Sequence, residues 1–583
     1  MSERVTWAER RERWKNARHA RRAGRAKIST EFVSAPEPRT IGSFARGKQL
    51  VAGQFLFGGH FANAPDATPW ALKAPDAAFL EDIHGFVWLD DLAAIGDGPA
   101  RKAAQKWTED WIQRYGDGRG HGWTPHIVGR RITRWINHGL MMLSGDGSTL
   151  APSYFRSLAQ QATFLGRRWH AAPRGLPRLE ALTGVVYSGL ALTNQDKHLA
   201  TATSALAEDC KTLVGAEGGI ASRNPQELLE VFTLLTWTAS ALSEAGLVVH
   251  DAHIAAIERI APTLRALRHG DGGLARFHGG GRGLDGRLDQ ALATSGIRGS
   301  ASEGLAMGYA RIASARTTVI VDAAPPPSGD AATTGHASTL AFELTSGRRP
   351  LIVNCGSGLV FGPKWHRAGR ATPSHSTLCI DGVSSSRMSS LGRAGGRDLD
   401  VLSDGPTEVR LHRGATPDTT TFMASHNGYV KSHGLTHVRQ LSLSTNGRTL
   451  IGDDTFAALQ ERHKPALMKA KERAEGVGIP FTLRFHLHPE VDAEVDLGGS
   501  AISLGLKSGE IWVFRFRGQA QLSIEPGVFL EKGRLEPRAS KQIVLSGAAI
   551  DYATRIGWTL AKAQDTPQAI RDLEREDLAV VGG

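Results

Sequence analysis

The chain changes its hydrophobic period once, near residue 300, and that switch limits it to a helical half followed by a strand-rich half. Before it, apolar residues recur at helical spacing. Residues 100–114 set Ala103, Trp107 and Trp111 four residues apart, on one face of a helix. Residues 153–170 carry Phe155, Leu158, Phe164 and Leu165 in the same way. After Arg223 the start signals are sharp: Asn224 suits a cap, Pro225 the first turn, and Glu227 the third position of a capping box. The run Leu228, Leu229, Val231, Phe232, Leu235 and Trp237 is apolar nearly all round, as in a helix buried between neighbours. Another helix is expected over 251–268, ending at His269-Gly270. With no strand signal between them, these helices predict hairpins packed into a bundle or toroid.

Beyond the switch the period is two. Residues 317–323, 338–344, 350–354 and 376–381 read as strands. Asn446-Gly447 predicts a type I′ hairpin, and Ser508-Gly509 marks another. Over 481–488, Phe481, Leu483, Phe485 and Leu487 face one way, and Arg484, His486 and His488 the other. So many antiparallel strands suggest a large sandwich. Gly279–Arg298, Gly-rich and polar, reads as the connection, and 458–474 as a solvated helical insertion. The expected division is a basic, flexible arm over 1–45, a helical domain over 46–298 and a β-sandwich over 299–583.

The formal net charge of +11 is uneven. Residues 1–30 hold ten Lys/Arg and three Glu, a balance of +7, which leaves +4 for the other 553 residues. The body is therefore not a basic nucleic-acid binder. The segment from Trp7 to Lys27 reads either as a solvated arm or as a helix carrying Trp7 and Trp14 against an anionic membrane surface or acidic glycan. No run of ~18 apolar residues exists, so no spanning helix is expected. The N-terminus lacks the apolar stretch of a secretory signal, which by sequence alone favours the cytoplasm. Cys210, Cys355 and Cys379 are too few and too scattered for a disulfide framework and read as reduced thiols or plain core residues.

Several segments, in shared order, carry a resemblance. His336-Ala337-Ser338-Thr339-Leu340-Ala341-Phe342-Glu343-Leu344, followed by the 350–356 strand, Ser374-His375-Ser376-Thr377-Leu378, Ser425-His426-Asn427-Gly428-Tyr429 and Leu435-Thr436-His437-Val438-Arg439 resemble strands of the bacterial heparinase II/III family. In the helical half His84-Gly85-Phe86-Val87-Trp88-Leu89, Ser222-Arg223-Asn224-Pro225 and Asp271-Gly272-Gly273-Leu274 resemble segments of the same family. The resemblance implies an (α/α) toroid of helical hairpins followed by an antiparallel β-sandwich. It also implies β-elimination of an acidic, uronate-containing polysaccharide, in a protein of the cell envelope or periplasm.

Such a reaction needs the sugar carboxylate neutralised, the C5 proton removed and the O4 leaving group protonated. Arg223 is the candidate for neutralisation, because a guanidinium fork matches a carboxylate, with Asn224 beside it. His278, Tyr309 and His437 complete the candidate catalytic set, and Tyr187 also merits testing. Trp135, Asn137 and His138 are candidate substrate contacts, since aromatic faces stack on sugar rings. The resemblance further implies a structural Zn²⁺ held by His336 and His375, with Asn354 at the position of the family's aspartate. Thr334 and Ser338 also depart from the family's pattern. These departures favour a second reading, a catalytically impaired glycan-binding or envelope-assembly protein. A glycoside hydrolase, needing two paired carboxylates, ranks third.

Overall fold

The computed structural model describes residues 7–567 except 26, 28, 35–37, 300–303 and 395–396. Its helical half is followed by antiparallel sheets. Six helices frame the helical side of the site and its supports: α1 (Trp7–Ala23), α2 (Pro125–Asn137), α3 (Ala151–Arg168), α4 (Leu176–Ala191), α5 (Pro225–Glu244) and α6 (Asp251–Ala266).

The start of α5 follows its sequence signals. Asn224 Oδ1 accepts the amides of Gln226 and Glu227 at 3.0 and 3.2 Å. The Glu227 carboxylate does not reach back to the cap amide; it accepts the Ser222 hydroxyl at 2.6 Å. Helices α2 and α4 run side by side because both carry glycine where they touch. A Cβ on Gly129 would lie 2.2 Å from the Glu180 carbonyl oxygen, and one on Gly184 2.6 Å from the Gly129 Cα. Arg130 then bridges to Glu180 at 2.8 and 2.9 Å.

The basic segment is helical and docked rather than a free arm. Asn16, Ala20 and Ala23 of α1 are buried against α3, where Arg168 reaches Asn16 at 3.0 Å and Gln160 donates to the Ala20 carbonyl at 3.0 Å. The first six residues, Arg4 included, lie outside the described residues.

The two main sheets each have eight strands among the described residues. One runs Val409–Ala415, Thr419–Tyr429, Leu435–Ser444, Thr449–Ala457, Ala553–Gln564, Ile511–Arg517, Ala501–Gly505, Asp492–Asp496. The other runs Gln521–Phe529, Arg538–Ala549, Ile479–Leu487, Arg349–Val353, Phe342–Ser346, Thr317–Asp322, Tyr309–Ser314, with Leu378–Ile380 paired to Ile479–Leu487. Their inner faces meet through Phe342 stacked on Trp558 at 5.7 Å and Phe456 against Phe481 at 4.8 Å.

Several local expectations change. A hairpin, Gln54–Phe57 with His60–Asn63, interrupts the helical half. The Gly-rich connection contains a helix, Arg287–Ser295, because Leu288 and Ala291 find buried sites. Residues 338–341 form a turn with Leu340 at φ 63°, so that strand starts at Phe342. Asn446 does not take the positive φ that a type I′ turn requires; only Gly447 does. The insertion's helix, Lys464–Arg473, buries Leu467 and Ala470 and so is only half solvated. The three cysteines are free and buried.

Candidate functional site

The seam between the two halves is organised by Asp322, the acid that ends the fully buried strand Thr317–Asp322. It is fully buried and takes Arg223 Nη2 at 2.5 Å, the Ser338 hydroxyl at 2.7 Å and His278 Nε2 at 3.5 Å. Burial alone would raise its carboxyl. The Arg223 guanidinium, then His278 and Ser338, outweigh burial and hold it well below the usual carboxylate range.

Arg223 brings five N–H donors, and every nitrogen has an acceptor. Nε donates to the Met307 carbonyl at 3.1 Å, Nη1 to Pro325 at 2.7 Å and Ala324 at 3.4 Å, and Nη2 to Gly308 at 3.1 Å and to Asp322. The guanidinium lies 4.7 Å over the Tyr309 ring, and the Tyr309 hydroxyl donates to Arg223's own carbonyl at 2.5 Å. Glycine is required at 308, where φ is +79° and a Cβ would sit 2.9 Å from two Arg223 nitrogens. Arg223, His278, Met307 and Leu340 all hold positive φ here without being glycine, a concentration of backbone strain that only surrounding contacts can maintain.

Tyr309 is buried, and burial raises its hydroxyl well above the usual range, which disfavours it as a base. His278 accepts the His336 amide at Nδ1 (3.0 Å), which leaves its proton on Nε2, toward Asp322. Burial lowers its pKa, and with Nδ1 accepting an amide it is neutral; Nε2 points toward Asp322 without a hydrogen bond.

His437 lies in a second closed chain. Its Nε2 faces Asp454 at 2.8 Å, its Nδ1 faces His426 Nε2 at 3.2 Å, and His426 Nδ1 accepts the Gly428 amide at 3.1 Å. Arg439 grips the same Asp454 at 2.8 and 3.2 Å, and Trp558 Nε1 donates to it at 2.9 Å. Neither His437 nor Arg439 has measurable exposure. The expected catalytic quintet thus divides: Arg223, His278 and Tyr309 converge on Asp322, Asn224 caps α5, and His437 belongs to the Asp454 chain.

The three expected substrate contacts make no hydrogen bond or ring contact to that cluster. Trp135 is a core residue, stacked on Tyr154 at 5.1 Å. His138 is held by Asp90 at 2.9 Å and Thr40 at 3.1 Å. Asn137 is buried, with neither amide atom bonded. Tyr187, on α4, is buried with its hydroxyl unbonded.

His336 and His375 lie with ring centroids 5.2 Å apart. His336 Nδ1 and both His375 nitrogens are buried without a hydrogen-bond partner; the Gly369 backbone lies near His375 without bonding geometry. Burial pushes His375 down to about 3 and His336 well below its usual range. Two neutral imidazoles with open nitrogens fit zinc's preference. The third position does not: Asn354 Oδ1 accepts the Ser376 amide at 3.0 Å and its Nδ2 donates to Glu343 at 3.4 Å. Cys355 beside it contacts His486, and burial raises its thiol to about 12. The donor set stops at two.

Sequence reasoning missed Asp322, Asp454 and Glu343. An acid at the end of a buried strand was the available signal for Asp322; Asp454 lies mid-strand and had none of that kind.

Residues 297–559 match the family model described as heparinase II/III-like, C-terminal. FtsZ-localized protein C of Caulobacter vibrioides is 28% identical over 536 residues, covering 91% of this chain and 89% of that one. Among solved structures, heparinase III aligns over 95% of this chain and 90% of its own, with TM-score 0.65 and 12% identity. A heparan sulfate lyase HepC mutant from Pedobacter heparinus aligns over 96% and 90%, with TM-score 0.58 and 14% identity. At such identities the structural likeness is one of fold. The chain therefore carries, over residues 297–559 and behind a helical half, a heparinase II/III-like C-terminal domain.

Proposed function

We propose that this chain works by binding rather than by turnover, as an envelope-assembly protein on a lyase scaffold that meets an anionic membrane surface through α1. The observation that carries the first part is the saturation of Arg223. With every guanidinium nitrogen bonded and the Tyr309 hydroxyl engaged, neither side chain has a donor left for a substrate carboxylate. The relative named for localisation with FtsZ supports an assembly role.

The membrane assignment rests on the two faces of α1. At 100° per residue, Trp7, Arg11, Trp14, Arg18 and Arg21 fall on one stripe, opposite the buried Asn16, Ala20 and Ala23. Trp7 is 76% exposed and Trp14 60%. Tryptophans flanked by arginine suit the interface of an anionic bilayer. No described helix is long and apolar enough to cross one.

The protein should sediment with phosphatidylglycerol vesicles and not with phosphatidylcholine. The Trp7→Ala/Trp14→Ala variant should bind roughly tenfold more weakly or worse, with its unfolding midpoint unchanged because both side chains face solvent. Equal binding by the variant would remove α1 from the interface. Incubated with uronate polymers, the protein should produce no ultraviolet absorbance from unsaturated ends; growth of that absorbance would overturn the binding-only reading.

A second reading, a lyase that uses an imidazole as its base, is favoured by the open nitrogens of His336 and His375, and the absorbance assay decides it. Zinc in the family's arrangement needs a carboxylate where Asn354 stands. Asn354→Asp is expected to raise bound zinc to one per chain by elemental analysis and to make thermal stability chelator-sensitive. Without metal the new carboxylate would face Glu343. Unchanged zinc content would separate position 354 from the histidine pair.

A further inference from the structure

We propose that Arg276 anchors an oxyanion-binding site at a second point on the seam, outside the Arg223–Asp322 cluster. A small pocket, open to solvent on one side, lies there, lined by His269, Asp271, Arg276, Arg282, Glu343 and Thr345, with apolar contacts from Leu274, Ile352 and Val353.

Almost every charge in this cleft already has a partner. Arg282 pairs with Asp285 at 2.8 Å and with Asp271 at 3.4 Å. Glu343 takes His269 Nε2 at 3.1 Å, the Arg276 amide at 3.0 Å and the Asn354 amide group. Just outside, Arg349 and Lys507 share Glu490, each at 3.3 Å. The Arg276 guanidinium is the exception. It lies 4.6 Å over the Phe529 ring, and its Nη1 is buried with no acceptor.

That combination points to a missing anion. A guanidinium lying over an aromatic face keeps its N–H edge free for in-plane bonds. A buried charged donor without an acceptor costs more than a neutral one, and folded proteins rarely leave such a group bare. The carboxylates lining the cleft are already engaged, so the acceptor must come from outside. The surroundings suit a negative one. His488 packs edge-on against Phe529 at 5.1 Å. Burial first, and then nearby cations, Arg276 foremost among them, hold it well below its usual pKa. The ligand class is a sulfate, phosphate or carboxylate oxyanion, free or carried on a larger acidic chain. The site stands whether the chain turns substrate over or only binds it.

The test compares the full chain with Arg276→Met, which keeps the stem over Phe529 and removes the donors. Melting temperature and calorimetric binding are measured with inorganic sulfate, with inorganic phosphate and with a short uronate oligosaccharide, each against chloride of equal ionic strength. At least one oxyanion should raise the wild-type melting temperature and bind at least tenfold more tightly than to Arg276→Met. Without ligand the variant should melt close to wild type, because the buried Nη1 donor it loses has no partner and the Met stem still covers Phe529. A response to sulfate or phosphate alone assigns a free anion, and a response confined to the oligosaccharide assigns a sugar carboxylate. Arg276→Lys, keeping the charge without the fork, should fall between the two. Equal responses in wild type and Arg276→Met, or a ligand-free loss of stability in the variant, would overturn the proposal.

Discussion

Arg223→Ala is expected to cost about 3–5 kcal/mol of stability, seen as a lower midpoint in denaturant unfolding. From its motif alone Arg223 reads as the neutraliser of a sugar carboxylate, whose loss would be seen in turnover. The structure reverses it because the guanidinium holds a buried carboxylate and four backbone carbonyls from residues 307–325. Its removal leaves Asp322 in an apolar seam with only Ser338 and a distant His278. Burial would then raise that carboxyl, favouring protonation, and the Tyr309 ring would lose the cation above it. The pair Arg223→Met/Asp322→Leu should recover part of the loss, since replacing a buried ion pair with apolar groups is often tolerated where breaking one is not. Recovery should be incomplete, because Ser338 and His278 lose their shared acceptor. A single variant with an unchanged midpoint would show that Arg223 is not a tether.

Asp454→Ala should be at least as damaging, again about 3–5 kcal/mol. Asp454 is the shared acceptor for Arg439, His437 and Trp558. Without it Arg439 keeps only the Leu340 and Ser376 carbonyls, at 2.6 and 2.8 Å, for a charge with no exposure. The pH dependence has its origin in the same contacts. Burial opposes ionisation, but Arg439 and His437 hold Asp454 well below the usual carboxylate range. Its contribution is therefore complete above the unfolded-chain carboxylate pKa of about 4, and it drains away as pH falls toward the lower folded value. Unfolding midpoints should drop below about pH 4 more steeply in wild type than in Asp454→Ala. Parallel curves would count against the assignment.

How much of the fold and site was readable from the residues depends on how local each signal was. The switch of period near 300 and the Asn224 cap are local, and both halves formed around them. The role of Arg223 was not local. Its motif identifies the side chain, but its destination is an acid 99 positions later, reached only because the backbone at 223 takes a positive φ of 52°. His437 looked available for chemistry because strand alternation does not reveal that the facing residue is His426 and the neighbour across the sheet carries Asp454. The helix at Arg287–Ser295 was hidden by flanking glycines, Gly286 and Gly296, which set its two ends. Arg276 gave no signal in sequence, since an unmatched donor is visible only once every neighbour's partner is known.

The clasp between Tyr309 and Arg223 draws its members from both halves, so ligand recognition and mechanical cohesion compete for the same guanidinium. A descendant of this scaffold that turned Arg223 toward a sugar would first have to find another bolt for its two halves.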